Sequence, residues 1–292
     1  MSEENDWNQF AELVSRPLRD LVDCAMGYDH SHSFEPLPGS IADQERSRDV
    51  DYADEWGPTP AREAHQLAVV CRVAADDHLQ SLARLIADPP AVYSTSVVAR
   101  SASESAARAW WLLDPALTVE ERIARGMTER VFSLTEVARL VDDDADVANG
   151  HLERRQAIVE TARRRGMQVK SSKGQAPFIG EPRPSSTKLA NDLHGGNENL
   201  GQFFYRLLSA VDHATTYALM QGVMTPPKAR LAGSGDVLGQ LVVRPELVRH
   251  IVSGTCNAYC NAFERQLETY GWDFGPWNAV KRQAFETLIG LQ

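Results

Sequence analysis

Cysteine is scarce in this chain: Cys24, Cys71, Cys256 and Cys260 are the only four in 292 residues, too few and too scattered for a disulfide framework. No stretch approaches about 18 uninterrupted apolar residues, so no membrane-spanning helix is expected. The opening Met-Ser-Glu-Glu-Asn-Asp lacks the cationic-then-apolar order of a secretory leader, and the expected location is the cytoplasm. The nucleophile elbow Gly-x-Ser-x-Gly, the phosphate-binding P-loop and the dinucleotide fingerprint are all missing, which sets those enzyme classes aside. Helical di-iron sites need Glu-x-x-His, and none of the eight histidines has a glutamate three positions earlier. Only Asp29 before His32 is acidic, and Cys256 and Cys260 have no second ligand pair nearby in sequence, so neither a metal nor a cofactor is expected. No alternating segment is longer than 238–243, and there is no internal repeat.

What is present is helical patterning. A helix is predicted over Trp7–Met26, followed by an irregular Gly-, Pro-, Asp- and Ser-containing stretch to residue 58 that reads as an extended arm. Thr59-Pro60 starts a helix that should run to Ala87, threonine suiting the cap and proline the first turn. Further helices are predicted over Val92–Leu113, from a capping box at Thr118/Glu121 to Val141, and over Val147–Arg165. The pattern collapses into Gly, Pro, Ser and Lys over 166–196, a loop long enough to be expected to be either functional or mobile. Helices resume over Asn199–Met224, Pro245–Tyr270 and from Gly275-Pro276 to Leu288. The expected fold is all-α, a bundle of four to five long helices, divided into an acidic N-terminal helix and arm (1–58) and a helical domain (59–292) with a loop insertion.

Charge follows the same division. Residues 1–60 carry 14 Asp and Glu against 4 Arg, which accounts for the whole net charge of −10. Residues 151–190 carry 9 basic and 3 acidic side chains. Overall acidity argues against a general duplex-DNA coat but leaves room for a local anion site.

Three groups of residues could carry chemistry. Arg100, Glu104 and Arg108 recur at four-residue steps among small apolar neighbours, as a buried pair, a site component or a solvated ladder. His65 and Arg72 lie seven apart on one predicted helix. Tyr205-Arg-Leu-Leu-Ser-Ala-Val-Asp-His213 repeats that spacing, placing Arg206 and His213 near one face, about 10 Å apart along the axis. Ser209 and Asp212 are their close neighbours. For RNA cleavage a histidine can move the 2′-hydroxyl or leaving-group proton, and an arginine can offset charge building on the phosphate. The competing reading is a structural Arg/His pair inside a helical scaffold, with the acidic arm free to bind a basic protein. A third reading is a small-molecule pocket lined by Arg100, Trp110 and Trp111.

An arginine, a short spacer and a histidine on a late helix of an all-α chain resembles the HEPN superfamily. The preceding Arg100/Glu104 helix and the Tyr205–His213 segment are similar to a bacterial, actinobacterial-type branch of HEPN-like proteins, over about residues 60–270. The resemblance implies a metal-independent endoribonuclease or RNA-binding protein of a toxin or defence system, dimeric, with Arg206 and His213 catalytic. It implies supporting positions for Tyr205, Ser209, Asp212, Arg100 and Glu104. The sequence departs from the family in the Asp212 carboxylate beside His213, which could raise the histidine pKa or repel substrate.

Overall fold

The computed structural model describes residues 3–53, 56–87, 91–141, 143–171, 176–195, 200–213, 229–230, 237–238 and 245–290. Within them are eleven helices: α1 (Glu3–His32), α2 (Ile41–Ser47), α3 (Asp49–Tyr52), α4 (Pro60–Ala87), α5 (Val92–Leu112), α6 (Val119–Leu140), α7 (Ala145–Arg164), α8 (Ser186–Leu193), α9 (Leu200–Asp212), α10 (Pro245–Tyr270) and α11 (Gly275–Ile289). Two two-residue antiparallel ladders complete the regular structure, β1 (Val169–Lys170) with β2 (Phe178–Ile179) and β3 (Ala229–Arg230) with β4 (Val237–Leu238). The chain is therefore all-α. Six of its described helices reach 20 residues or more, above the four or five expected. No described helix is long and apolar enough to cross a membrane.

Apolar residues sort into two clusters. The larger joins α1, α4, α5, α8, α9, α10 and α11, with Val14, Leu18, Leu79, Leu82, Tyr259, Phe263 and Trp277 at its centre. The smaller joins Tyr52, Trp56 and Ala61 to α6, α7 and Ile179 of β2. α4 runs between them, Ala61 serving the smaller cluster and Ala68 onward the larger. Its approach to α6 depends on Gly126, where an added Cβ would stand 2.9 Å from the Ala64 Cβ.

Local signals explain most boundaries. Thr118 and Glu121 form the reciprocal capping box that opens α6. The amides at the start of α4 find an acceptor elsewhere: the Asp49 carboxylate receives Ala61 N at 2.6 Å and Arg62 N at 3.4 Å. Asp49 belongs to the stretch expected to be an extended arm. That stretch instead folds into the end of α1, α2 capped by Ser40, and α3. Three of its acidic residues, Asp29, Glu45 and Asp49, are drawn inward, where Arg72, Arg122 and the N-terminus of α4 meet them. The 166–196 loop likewise holds β1, β2 and α8, the last opened by the Ser185 hydroxyl accepting from Lys188 N. The helix expected over 199–224 is α9 as far as Asp212; residues 214–224 lie outside the described residues.

The C-terminal end of α5 is held by arginines. Arg265 of α10 donates to Trp110 O at 2.7 Å, Arg125 of α6 to Trp111 O, and Arg122 of α6 to Leu112 O at 2.6 Å and Asp114 O at 3.1 Å. Thr269 completes the set by donating to Leu113 O at 3.1 Å. The last carbonyls of a helix have no partner within it, and guanidinium groups satisfy them while complementing the negative helix end.

Candidate functional site

Along one face of α5, Arg100, Glu104 and Arg108 each meet a different element. Arg100 Nε donates to Glu104 Oε1 at 2.9 Å, an i,i+4 pair, and Tyr205 of α9 closes a triangle over it. The Tyr205 hydroxyl donates to the same Glu104 oxygen at 2.7 Å and accepts from Arg100 Nη2 at 3.1 Å. The Arg100 guanidinium also lies 5.3 Å from the centre of the Tyr205 ring. Burial, then the Glu104 carboxylate, raises the Tyr205 pKa, so the phenol keeps its proton. Burial works against the Arg100 charge, but the bonds from Glu104 and Tyr205 outweigh it and raise its pKa. Arg100 and Glu104 thus form a half-buried pair that, through Tyr205, fastens α9 to α5.

One turn on, Arg108 Nη1 sits 2.8 Å from Glu129 of α6, a contact ion pair without hydrogen-bond geometry. Arg183, from the turn after β2, brings Nε within 3.0 Å of both Glu129 oxygens and lays its guanidinium 3.9 Å from the centre of the Phe132 ring. Two cations share one carboxylate there, and burial lowers the Arg108 pKa further. Of the basic 151–190 segment, Arg183 and Arg165 are thus committed to internal partners; Arg165 donates to Asp51 O and Tyr52 O. Arg154, Arg163, Arg164 and Lys170 are exposed, on or just after α7, which packs against α6 and β1, whereas α9 packs on α5 and α8.

α9 divides its own side chains cleanly. Phe204, Tyr205 and Leu208 are buried, with the Phe204 ring lying across Gly254 of α10. Arg206 and His213 are exposed, and Phe203, three residues before Arg206, is 67% exposed. Ser209 is half-buried, its carbonyl accepting from His213 N at 2.9 Å. The Asp212 side chain lies outside the described residues. The sequence-selected residues therefore form two groups, an inward anchor in which Tyr205 of α9 meets Arg100 and Glu104 of α5, and an outward pair of Arg206 on α9 and His213 just past its end.

Among the described residues no three His, Cys, Asp or Glu side chains converge as a metal site. Cys256 and Cys260 are buried in the core, and burial pushes the Cys256 thiol up to about 12. The pocket expected from Arg100, Trp110 and Trp111 does not assemble. Trp111 is buried between Arg108 and Arg125, Arg100 is bound to Tyr205, and Trp110 faces a separate cleft beside α10.

Sequence reasoning missed the buried ionic clusters. Arg72 of α4 donates to Asp29 of α1, to Asp76, and through Nε to Gln266 Oε1 at 3.0 Å, while Tyr259 donates to Asp76 at 2.6 Å. Glu45 of α2 accepts from Arg122 Nε at 2.6 Å and lies 2.8 Å from His65 Nε2. Both clusters join residues far apart in sequence, and the one available signal was a density of acids in the arm matching arginines in the helices. No family model, no curated protein and no solved structure matches the chain.

Proposed function

We propose that the protein acts on RNA in the cytoplasm through the outward face of α9, as a metal-independent, HEPN-like endoribonuclease. The observation that carries this reading is the division of the α9 segment: Tyr205 is fixed against Arg100 and Glu104 while Arg206 on the helix and His213 just past its end stay exposed. A structural Arg/His pair would be turned inward, as His65 and Arg72 are.

In the proposed step His213 accepts the 2′-hydroxyl proton as that oxygen attacks the adjacent phosphorus. The 5′-oxygen leaves, taking a proton, and a 2′,3′-cyclic phosphate remains. Arg206 offsets the charge that builds on the non-bridging oxygens. The Arg100–Glu104–Tyr205 triangle positions the helix and does not touch substrate. The protein works as a homodimer, and the exposed Phe203 beside Arg206 is the apolar surface a second copy would cover. The alternative, a scaffold whose acidic arm captures a basic partner, has less to draw on, because Asp29, Glu45 and Asp49 are buried and bonded internally.

The test is cleavage of a mixed single-stranded and transfer RNA pool in EDTA by the wild type, Arg206→Ala and His213→Ala, each first shown to be folded. Cleavage by the wild type alone, ending in cyclic phosphate, is the expected result. Intact RNA with the wild type, or cleavage that survives both substitutions, would sink the reading.

A further inference from the structure

A cleft of about 540 Å³ opens between α8 and α10, floored by Trp110 and Phe274. Its one cation, Arg265, is already committed: the guanidinium lies 3.5 Å from the centre of the Trp110 ring, bonds to Trp110 O and sits 3.5 Å from Asp114. The amides of Asn257 and Asn261 are oriented by α8, one nitrogen bonded to His194 Nδ1 and the other to Leu193 O, both at 2.8 Å. The remaining charged groups on the wall are carboxylates. Asp192 and Glu264 each hold one lysine outside the cleft lining, Lys188 and Lys281. Glu268 is exposed and lies near enough to Arg265 to favour that guanidinium's charge, with no direct ion pair between them among the described residues.

Aromatic faces and carboxylates are the surroundings that favour an organic cation. Among the described residues an anionic ligand would meet three carboxylates and no uncommitted cation. We propose that this cleft binds an alkylammonium group, carried either by a free polyamine or by a lysine side chain of a partner. Trp110 and Phe274 receive the methylene chain and Glu268 receives the ammonium.

Calorimetric titration of the full chain with spermidine and, separately, with a tetralysine peptide tests this at an ionic strength of about 0.15 M, where distant charges are screened. Saturable binding at one site is expected, about fivefold weaker in Glu268→Gln, the upper end of what one exposed ion pair contributes. Glu153→Gln, an exposed acid on α7, should leave the affinity unchanged. Tighter binding of spermidine than of tetralysine identifies the free polyamine as the source; the reverse identifies a partner's lysine. No binding of either probe, or equal weakening by both substitutions, overturns the proposal and leaves only the general attraction of a chain with net charge −10. Neither substitution touches Arg206 or His213, so RNA cleavage reports on a separate question.

Discussion

His65 with Arg72 and Arg206 with His213 pair the same two residue types at the same spacing of seven, and their environments are opposite. On α4 both side chains are fully buried, and each reaches a carboxylate supplied from the N-terminal segment, Glu45 for His65 and Asp29 for Arg72. Arg206 on α9 and His213 just past its end are both exposed. Spacing fixes only that two residues share a face; which way the face turns depends on what the neighbouring elements bring. Around α4 they bring acids, which turn a costly buried guanidinium into a fully bonded one. The polar pair of the α9 segment faces outward while Phe204, Tyr205 and Leu208 take the inner side.

The contrast is broken most forcefully at Arg72. Arg72→Met would leave Asp29 and Asp76 buried without their shared cation, and a loss of about 3–5 kcal/mol in denaturant unfolding is expected. A loss below about 1 kcal/mol would mean that the cluster contributes little to stability.

The second test uses acid. Burial holds the His65 pKa down at about 4, so an unfolded chain takes up a proton near pH 6.5 that the folded one refuses. That contribution is intact above pH 6.5 and is lost as pH falls towards 4. Asp76 runs the other way: burial lifts its pKa to about 6, so its contribution is full below about 3.8 and is lost as pH rises through 6. The two slopes oppose each other in the wild type. His65→Gln removes one of them, so the stability gap between wild type and variant should narrow as pH falls from 6.5 to 4, in parallel urea titrations. A gap constant across that range would place His65 outside the titration.

A smaller loss is expected at the α9 anchor. Tyr205→Phe deletes the bond to Glu104 and the acceptor for Arg100, worth about 1 kcal/mol in thermal or chemical unfolding. The smallest effect belongs to the outward pair, where Arg206→Ala and His213→Ala should each move stability by no more than about 0.5 kcal/mol. A loss several times larger would show that the pair is structural after all, and would put it in one class with His65 and Arg72.

The helices were legible because their signals are local: the Thr118/Glu121 box, Pro60, Pro245 and Gly275-Pro276 stand at or beside the observed starts. The Arg100/Glu104 pair was legible for the same reason, being one turn apart on one helix. Tyr205 closing over that pair was not, since a separation of 105 residues leaves no periodic trace. The arm was misread as extended because its glycines and prolines were visible, while the partners of Glu45 and Asp49 lay beyond it, at Arg122 and Ala61. For the candidate site, residue types and spacing were legible and direction was not, because direction is settled by which apolar neighbours the helix finds.

The capped end of α5 carries a consequence for the order in which the chain can fold. Arg122 and Arg125 reach its carbonyls across 10 and 14 residues, within the α5–α6 hairpin, so those contacts cost little loop entropy. Arg265 must come from 155 residues away. The end of α5 can therefore be stopped early by the next helix and locked only when α10 arrives. Interactions made after the rate-limiting step set how slowly a protein comes apart rather than how fast it assembles. The Arg265 clasp would then govern the lifetime of the folded chain, leaving its speed of formation to the hairpin that precedes it.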